Sequence, residues 1–242
     1  MRNVVVTGGS RGLGLAILKK LASVDYRVIA LARKQSQELT SAMAASENAG
    51  ALHFQPCDLE DIDAIPRLVT SLRKSFGPIY GLVNNAALGD DGALSLMHTS
   101  KIERLVRLNT LSPIVLTKYL VRTMMADGGG RIVNVASIVA LTGYSGLSVY
   151  AATKSSMIGF TRSLAREVGR MGVNVNAVAP GFLNTDMTQS LDETQRAQIA
   201  RRSALNKLPA VDDVAEAVEF LLSDRSASIT GTVLTVDAGS TA

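Results

Sequence analysis

Residues 148–154 read SVYAATK and place a phenol, Tyr150, four positions before an ammonium, Lys154. Apolar residues then recur at Met157, Ile158, Phe160, Leu164 and Val168, a spacing that predicts a helix. Positions i and i+4 of a helix lie on one face, one turn apart, so the two side chains should point the same way. A neighbouring ammonium stabilises phenolate and draws the tyrosine pKa, ordinarily about 10, toward the neutral range. Such a phenol is a candidate proton donor. For one pair alone a solvated helix face with a chance neighbour is the preferred reading, and the rest of the chain decides.

A second stretch with chemistry is TGGSRGLG, residues 7–14, which follows the apolar run NVVVT (3–7) and opens the helical pattern GLGLAILKKLAS (12–23). Its glycines, Gly8, Gly12 and Gly14, have the spacing G-x-x-x-G-x-G. Glycines let the backbone turn tightly against an anion, and a helix start offers free N–H groups and partial positive charge. No Lys-Ser/Thr pair follows, so the turn is not a Walker-type nucleotide loop. A dinucleotide without a 2′-phosphate usually meets an acid after the second strand. Here that region reads ALARK (30–34), with Arg33 and Lys34 and no acid, and Arg11 lies in the glycine turn. Guanidinium forks suit a phosphate, so NADPH is expected over NADH; the missing acid is the firmer half of that argument, since Arg33 and Lys34 also read as ordinary surface cations. Asp58 in PCDLED is placed to accept from an adenine amino group and reads equally as a helix N-cap. NNAA (84–87) offers small residues where a cofactor passes closely, or a simple turn.

The elements that must position these groups alternate. Apolar, β-branched runs at 3–7, 27–32, 51–57, 79–84, 131–137, 173–179 and 232–237 are separated by helical patterns at 12–23, 62–76, about 100–126, the Tyr150 segment and 211–223. That alternation predicts an α/β fold: one doubly wound parallel sheet (Rossmann fold) of about seven strands with helices on both faces. No linker or repeat divides the chain, so residues 1–242 read as a single domain. Ligands bind beyond the carboxyl ends of such strands, which places the loops at 86–99 and 183–209 beside the site.

Composition removes other classes. Of 242 residues, 47% are hydrophobic and 19% charged, which indicates a folded globular chain. No apolar run reaches membrane-spanning length, and the first strand starts too early for a signal peptide, so a cytosolic protein is expected. Cys57 is the single cysteine and His53 and His98 the only histidines, so neither an internal disulfide nor a metal centre is expected. The +4 charge comes from dispersed cations with 4% aromatics, and no nucleic-acid partner is expected. Arg162, Arg166 and Arg170 recur at helical spacing; a solvated or subunit-contact face is preferred there over a docking stripe for an acidic partner.

Taken in order, TGGSRGLG, NNAA, Asn109, Ser137, the Tyr150–Lys154 pair and Pro180-Gly181 resemble the short-chain dehydrogenase/reductase family over essentially the whole chain. Within it the chain is most similar to the 3-oxoacyl-acyl carrier protein reductases, through LVNNA, RIVNVASIVA, VYAATK, GFTRSLAREV, VNAVAPGFLNTDMT and ITGTVLTVDAGS. The resemblance implies that Tyr150 is the proton donor, that Lys154 tunes it and holds the nicotinamide ribose, that Ser137 binds the substrate carbonyl, and that Asn109 holds a water in the proton relay. It carries cofactor contacts onto Gly8, Gly9, Ser10, Arg11, Arg33, Asp58, Leu59, Asn85 and Leu183, with Pro180 and Gly181 near the nicotinamide and Thr185 near its amide. It implies a homotetramer that buries the helices from Asn109 to Ala126 and from Tyr150 to Arg170.

The chain departs from the family pattern at three positions. Ala87 stands where glycine is common, and Gly128 and Met171 stand where carrier-protein reductases place cations; Arg122, Arg131 and the arginine stripe are the candidates to compensate. The missing cations should weaken docking of an acidic carrier; the resemblance still implies a carrier-bound 3-oxoacyl thioester as the first expected substrate, with a coenzyme A thioester or another small ketone or alcohol as runner-up. A non-catalytic NADPH-binding protein is the alternative of another class. The segment 183–209 is expected to act as a lid, with Leu191, Ile199, Leu205 and Leu208 facing an acyl chain or simply packing on the surface.

Overall fold

The continuous apolar runs form the strands of one sheet because both of its faces are covered. The structure is a computed structural model that describes residues 1–46, 51–183 and 193–242. Its strands are β1 (Arg2–Thr7), β2 (Tyr26–Ala32), β3 (Leu52–Pro56), β4 (Ile79–Asn84), β5 (Gly130–Val135), β6 (Val173–Pro180) and β7 (Val233–Val236). All pair in parallel, in the order β3-β2-β1-β4-β5-β6-β7. The connecting helices are α1 (Gly12–Ser23), α2 (Gln37–Ala44), α3 (Ile65–Phe76), α4 (Thr99–Val106), α5 (Ser112–Ala126), α6 (Val139–Thr142), α7 (Ser148–Val168), α8 (Glu193–Arg201) and α9 (Val211–Leu222).

Successive strand residues serve opposite faces. Val4 and Val6 pack with Ile17, Leu18 and Leu21 of α1 and Val214 and Val218 of α9. Val5 packs on the other face with Leu72 of α3, Leu116 and Leu120 of α5 and Leu164 of α7. All three valines are fully buried, so a strand in this position reads as an unbroken apolar run rather than an alternation.

One polar cluster lies inside the second face and fixes the helices that carry the site. Asn84 Nδ2 donates to Thr117 Oγ1 at 3.0 Å and to Asn134 Oδ1 at 2.8 Å, and Asn134 Nδ2 donates to Thr161 Oγ1 at 2.8 Å. The chain of bonds ties β4 and β5 to α5 and α7. Deleting one member leaves its partner buried and unpaired, at about 1–3 kcal/mol.

The order of strands reverses between β1 and β4, and the loops leaving those two strands bound the crevice where such sheets take ligands. The helical pattern over 100–126 differs from its expected form: a π turn at Arg107–Leu111 separates α4 from α5. Such turns insert a residue into the helix and re-aim its side chains, and here Asn109 is carried inward and left only 2% exposed. The loop at 86–99 contains a 3₁₀ turn at Leu94–Leu96, and part of the expected lid is helix α8. Among the described residues no helix is long and apolar enough to cross a membrane, and no cluster of metal-ligating side chains occurs.

Candidate active site

The turn from β1 into α1 is built around glycines that cannot be replaced. Gly8 has φ +67°, and a Cβ there would lie 2.9 Å from Ala86 Cα. A Cβ on Gly14 would fall 2.1 Å from the Gly8 carbonyl oxygen. Thr7 and Asn85 lock this turn to the loop after β4. Thr7 Oγ1 accepts from the backbone N–H groups of Asn85 and Ala86, both at 2.9 Å, and Asn85 Nδ2 donates to Thr7 O at 2.9 Å and Gly8 O at 3.3 Å. No side chain caps the start of α1, and its first turn carries no acid. Its N–H groups and dipole therefore face the crevice without competition, an arrangement that fits a pyrophosphate.

Around this turn, Ser36 caps α2 and its hydroxyl donates to Ser10 O at 2.5 Å. Arg33 and Lys34 are exposed just beyond β2. The Glu38 carboxyl is held below its ordinary range by its own backbone N–H and the Ser36 hydroxyl, and Arg11 adds to the effect. Asp58 accepts from the backbone N–H of Glu60 at 2.9 Å, which closes a turn after β3 rather than capping α3. Leu59 behind it is buried. Ala87 is absent from the residues at positive φ, so the methyl group in place of the family glycine brings no backbone strain.

Tyr150 and Lys154 lie one turn apart on α7, with the ammonium 5.8 Å from the phenol ring centre. Lys154 is only 4% exposed, and its Nζ donates to Val135 O at 2.8 Å, the end of β5. That is its one hydrogen bond to the described residues, so two of its three N–H groups remain for a ligand. Burial pushes its pKa down to about 8. Ser137 follows β5 by two residues, accepts from the backbone N–H of Val139 at 3.3 Å, and hydrogen bonds to the Tyr150 hydroxyl. The main chain joins this corner to the next strand, since Ile138 N donates to Pro180 O at 3.0 Å, and Gly181 N in turn donates to Val236 O at 2.9 Å. Ser137, Tyr150, Lys154, Pro180 and Gly181 thus converge at the carboxyl ends of β5 and β6, and Leu183 is buried just beyond.

Three expectations change. Lys154 does not lower the Tyr150 pKa: burial raises it to about 12, and only the Ser137 hydrogen bond works the other way. The ammonium donates to Val135 O, and desolvation of the phenol sets the direction of the shift. The Asn109 side chain is not free to hold a water, because Oδ1 accepts from Leu88 N at 2.8 Å while Nδ2 donates to Leu88 O at 2.8 Å and Thr153 Oγ1 at 3.2 Å. Arg131 is not a free docking cation: it donates to Asn174 Oδ1 at 3.2 Å and lies over the Tyr80 ring. Thr185 and Leu191 fall outside the described residues.

An aromatic pair escaped the sequence. Tyr144, between Ser137 and Tyr150, meets Phe182, directly after Gly181, edge to face with ring centres 5.4 Å apart. Tyr144 is 48% exposed. The backbone bond from Gly92 N to Gly146 O at 2.9 Å brings the loop after β4 to the same rim. The signal available was only that each aromatic flanks a site residue in the chain.

A parallel sheet in this strand order, with a glycine turn at the reversal and a tyrosine and lysine one helical turn apart beside a serine, defines an oxidoreductase of the short-chain type. The chain matches the short chain dehydrogenase family over residues 2–196 and belongs to it. It is 37% identical over 235 residues to the 3-oxoacyl-(acyl-carrier-protein) reductase FabG of Escherichia coli strain K12 and 40% identical over 235 residues to the human 3-oxoacyl-(acyl-carrier-protein) reductase, covering 97% of this chain and 95% of each relative. It is 38% identical to carbonyl reductase family member 4 of Xenopus tropicalis, with the same coverage. A crystal structure of gluconate 5-dehydrogenase from Burkholderia cenocepacia, in complex with NADP and tartrate, superposes with a TM-score of 0.94 at 26% identity, covering 99% of this chain and 95% of that one.

Proposed function

We propose that the chain, acting as a single domain over residues 1–242, reduces a 3-oxoacyl thioester with NADPH, and that the carrier-bound thioester is its substrate. The observation that carries this reading is the half-buried Tyr150 and Ser137, hydrogen bonded to each other beside the buried Lys154 ammonium at the carboxyl end of β5. A non-catalytic binder has no use for a phenol held protonated beside a serine. NADPH, when bound, supplies hydride to the carbonyl carbon. Gly8, Gly9, Ser10, Gly12 and Gly14 with the start of α1 hold its pyrophosphate, and Arg11 and Arg33 its 2′-phosphate. Asp58, Leu59 and Asn85 flank the adenosine half, and Pro180, Gly181, Leu183 and Thr185 the nicotinamide half.

The remaining work is done by the chain. Ser137 donates to the substrate carbonyl and orients it. Tyr150, neutral at physiological pH because its pKa is about 12, gives its proton to the oxygen as charge develops there. The Lys154 ammonium stabilises the phenolate left behind and binds ribose hydroxyls with its spare N–H groups. The Asn109 carboxamide holds the loop after β4, which leaves its main-chain carbonyl as the group to hold the relay water. The apolar Tyr144–Phe182 pair at the rim suits the acyl arm, and Ile199, Leu205 and Leu208 lie on the segment that follows. The relatives named as 3-oxoacyl-(acyl-carrier-protein) reductases support the substrate class.

Replacing Arg33 by Asp will reverse the cofactor preference. A carboxylate beside the ribose accepts from a free 2′-OH and repels a 2′-phosphate, so kcat/KM for NADPH should fall by about 10²-fold relative to NADH, equivalent to roughly 3 kcal/mol of lost charged contact. An unchanged ratio removes Arg33 from the site.

A specific observation favours the second reading, a coenzyme A thioester or another small ketone or alcohol. Gly128 has φ +94° and carries no charge, and Arg131 is committed elsewhere, so carrier docking would fall to the exposed Arg122 and the Arg162, Arg166 and Arg170 stripe. Steady-state reduction of one 3-oxoacyl group on carrier protein and on coenzyme A separates the two. A carrier advantage in kcat/KM of about tenfold or more, with steep salt dependence, supports the carrier substrate; equal rates support the second reading.

The homotetramer is part of the same proposal. Val106 and Leu111 are 44% and 41% exposed, and a Cβ on Gly159, midway along α7, meets nothing within 4 Å. A mid-helix glycine costs about 1 kcal/mol relative to alanine and has no reason within one subunit, whereas a helix of a second copy approaching α7 supplies one. The single cysteine, Cys57, is free, in keeping with a reducing cytosol.

A further inference from the structure

Asn109 and Tyr150 are joined by a residue to which the proposed chemistry gives no part. Thr153 is 3% exposed. Its hydroxyl accepts from Asn109 Nδ2 at 3.2 Å and donates to the backbone carbonyl of Tyr150 at 2.8 Å. On the other side, the Asn109 carboxamide pairs reciprocally with the Leu88 peptide, accepting from its N–H and donating to its C=O, each at 2.8 Å. An unbroken path therefore runs from the loop after β4, through the π turn, to the main chain of Tyr150. The path uses the whole donor capacity of the carboxamide and both roles of the hydroxyl.

We propose that Thr153 is a positioning residue, which fixes the Asn109 carboxamide and so sets the loop at Leu88 against the catalytic helix. The inference rests on the reductase reading for its kinetic consequence and on the hydrogen bonds alone for its structural one. With the hydroxyl removed, one N–H of Asn109 is buried without an acceptor, and the carboxamide must turn or withdraw to find one. Either movement loosens its pairing with Leu88, two residues beyond the Asn85–Ala86 pair that holds the glycine turn. The distance between the nicotinamide side of the crevice and the Tyr150 hydroxyl is then no longer fixed. Misplacement by about 1 Å costs on the order of 10²-fold in rate, so a partial loosening is expected to lower kcat by about tenfold.

A neighbouring bond supplies the control. Thr110 Oγ1 and Ser156 Oγ lie 2.9 Å apart and also join the π turn to α7, but they do not touch the Asn109 carboxamide. Thr153→Val, Thr153→Ser and Ser156→Ala are compared in the full chain by NADPH-dependent turnover and by amide hydrogen exchange at Leu88. The expected result is a fall of about tenfold in kcat for Thr153→Val with little change in KM for the carbonyl substrate. Thr153→Ser, which keeps the hydroxyl, restores kcat to within about twofold, Ser156→Ala leaves it within the same range, and Leu88 exchanges faster in Thr153→Val alone. If Thr153→Val does not fold, Thr153→Ala makes the same deletion without the added methyl and is judged by the same criteria. A kcat within about twofold of the parent protein in the hydroxyl-free variant, or an equal loss in Ser156→Ala, overturns the proposal. If the parent protein turns over no 3-oxoacyl thioester, the reductase reading fails by itself, and exchange at Leu88 decides the structural link: unchanged exchange in Thr153→Val overturns it.

Discussion

Tyr150→Phe will lower kcat by about 10³-fold and leave the NADPH dissociation constant within about twofold of the parent protein, measured by single-turnover reduction and by nicotinamide fluorescence. The magnitude follows from the 10²- to 10⁴-fold that a positioned general acid contributes. Binding is spared because phenylalanine keeps the ring against α7 and Lys154 keeps its bond to Val135 O at 2.8 Å. The protein holds the phenol neutral, with its pKa raised to about 12 by burial and eased by Ser137. The resting enzyme therefore keeps the proton that reduction consumes, and the oxygen anion forming on the substrate draws it out. A loss confined to KM places Tyr150 in binding rather than proton transfer.

Lys154→Met will abolish turnover and raise stability at neutral pH. The lysine is 4% exposed, and burial lowers its pKa from 10.5 to about 8. Each pKa unit corresponds to about 1.4 kcal/mol, so the charged side chain costs the folded protein on the order of 3 kcal/mol at pH 7. The sign follows from proton counts. Between about pH 8 and 10.5 the unfolded chain holds the proton and the folded chain does not, so stability rises with pH through that window. Below pH 8 the cost is present in full. Methionine removes the charge and leaves the Val135 carbonyl without its donor, at about 1 kcal/mol. The net gain of roughly 2 kcal/mol should appear as a Tm higher by about 5 °C at pH 7, shrinking as pH approaches 10.5. A Tm that falls at pH 7 contradicts the burial cost. A Tm that rises instead marks the ammonium as a group retained for chemistry at a cost in stability.

The parts of this architecture legible in the sequence are those governed by local periodicity. Val4, Val5 and Val6 announce a strand buried on both faces, and Tyr150 and Lys154 announce a shared helical face. The glycine turn was equally plain, because Gly8 and Gly14 occupy places where a Cβ cannot fit. The π turn at Arg107–Leu111 was hidden, since one inserted residue leaves the apolar pattern of a long helix almost intact. Its consequence, the commitment of the Asn109 carboxamide to Leu88 and Thr153, depends on a loop and a helix 21 and 44 residues away. The sign of the Tyr150 shift is not legible in the sequence, because a pairwise argument sees the ammonium and not the desolvation. Arg131 is a different lesson: its bond to Asn174 crosses to β6, 43 residues on, and no local pattern announces it.

The central claim is that hydride from NADPH and a proton from Tyr150 meet on one carbonyl in the β1–β4 crevice. The most direct measurement is the product formed from a short 3-oxoacyl thioester and NADPH deuterated at the transferring carbon. The account predicts one deuterium on C3 of a 3-hydroxyacyl thioester for each NADPH oxidised. NADPH that binds tightly yet stays unoxidised across a panel of carbonyl compounds would contradict it and leave a protein that holds the cofactor without using it.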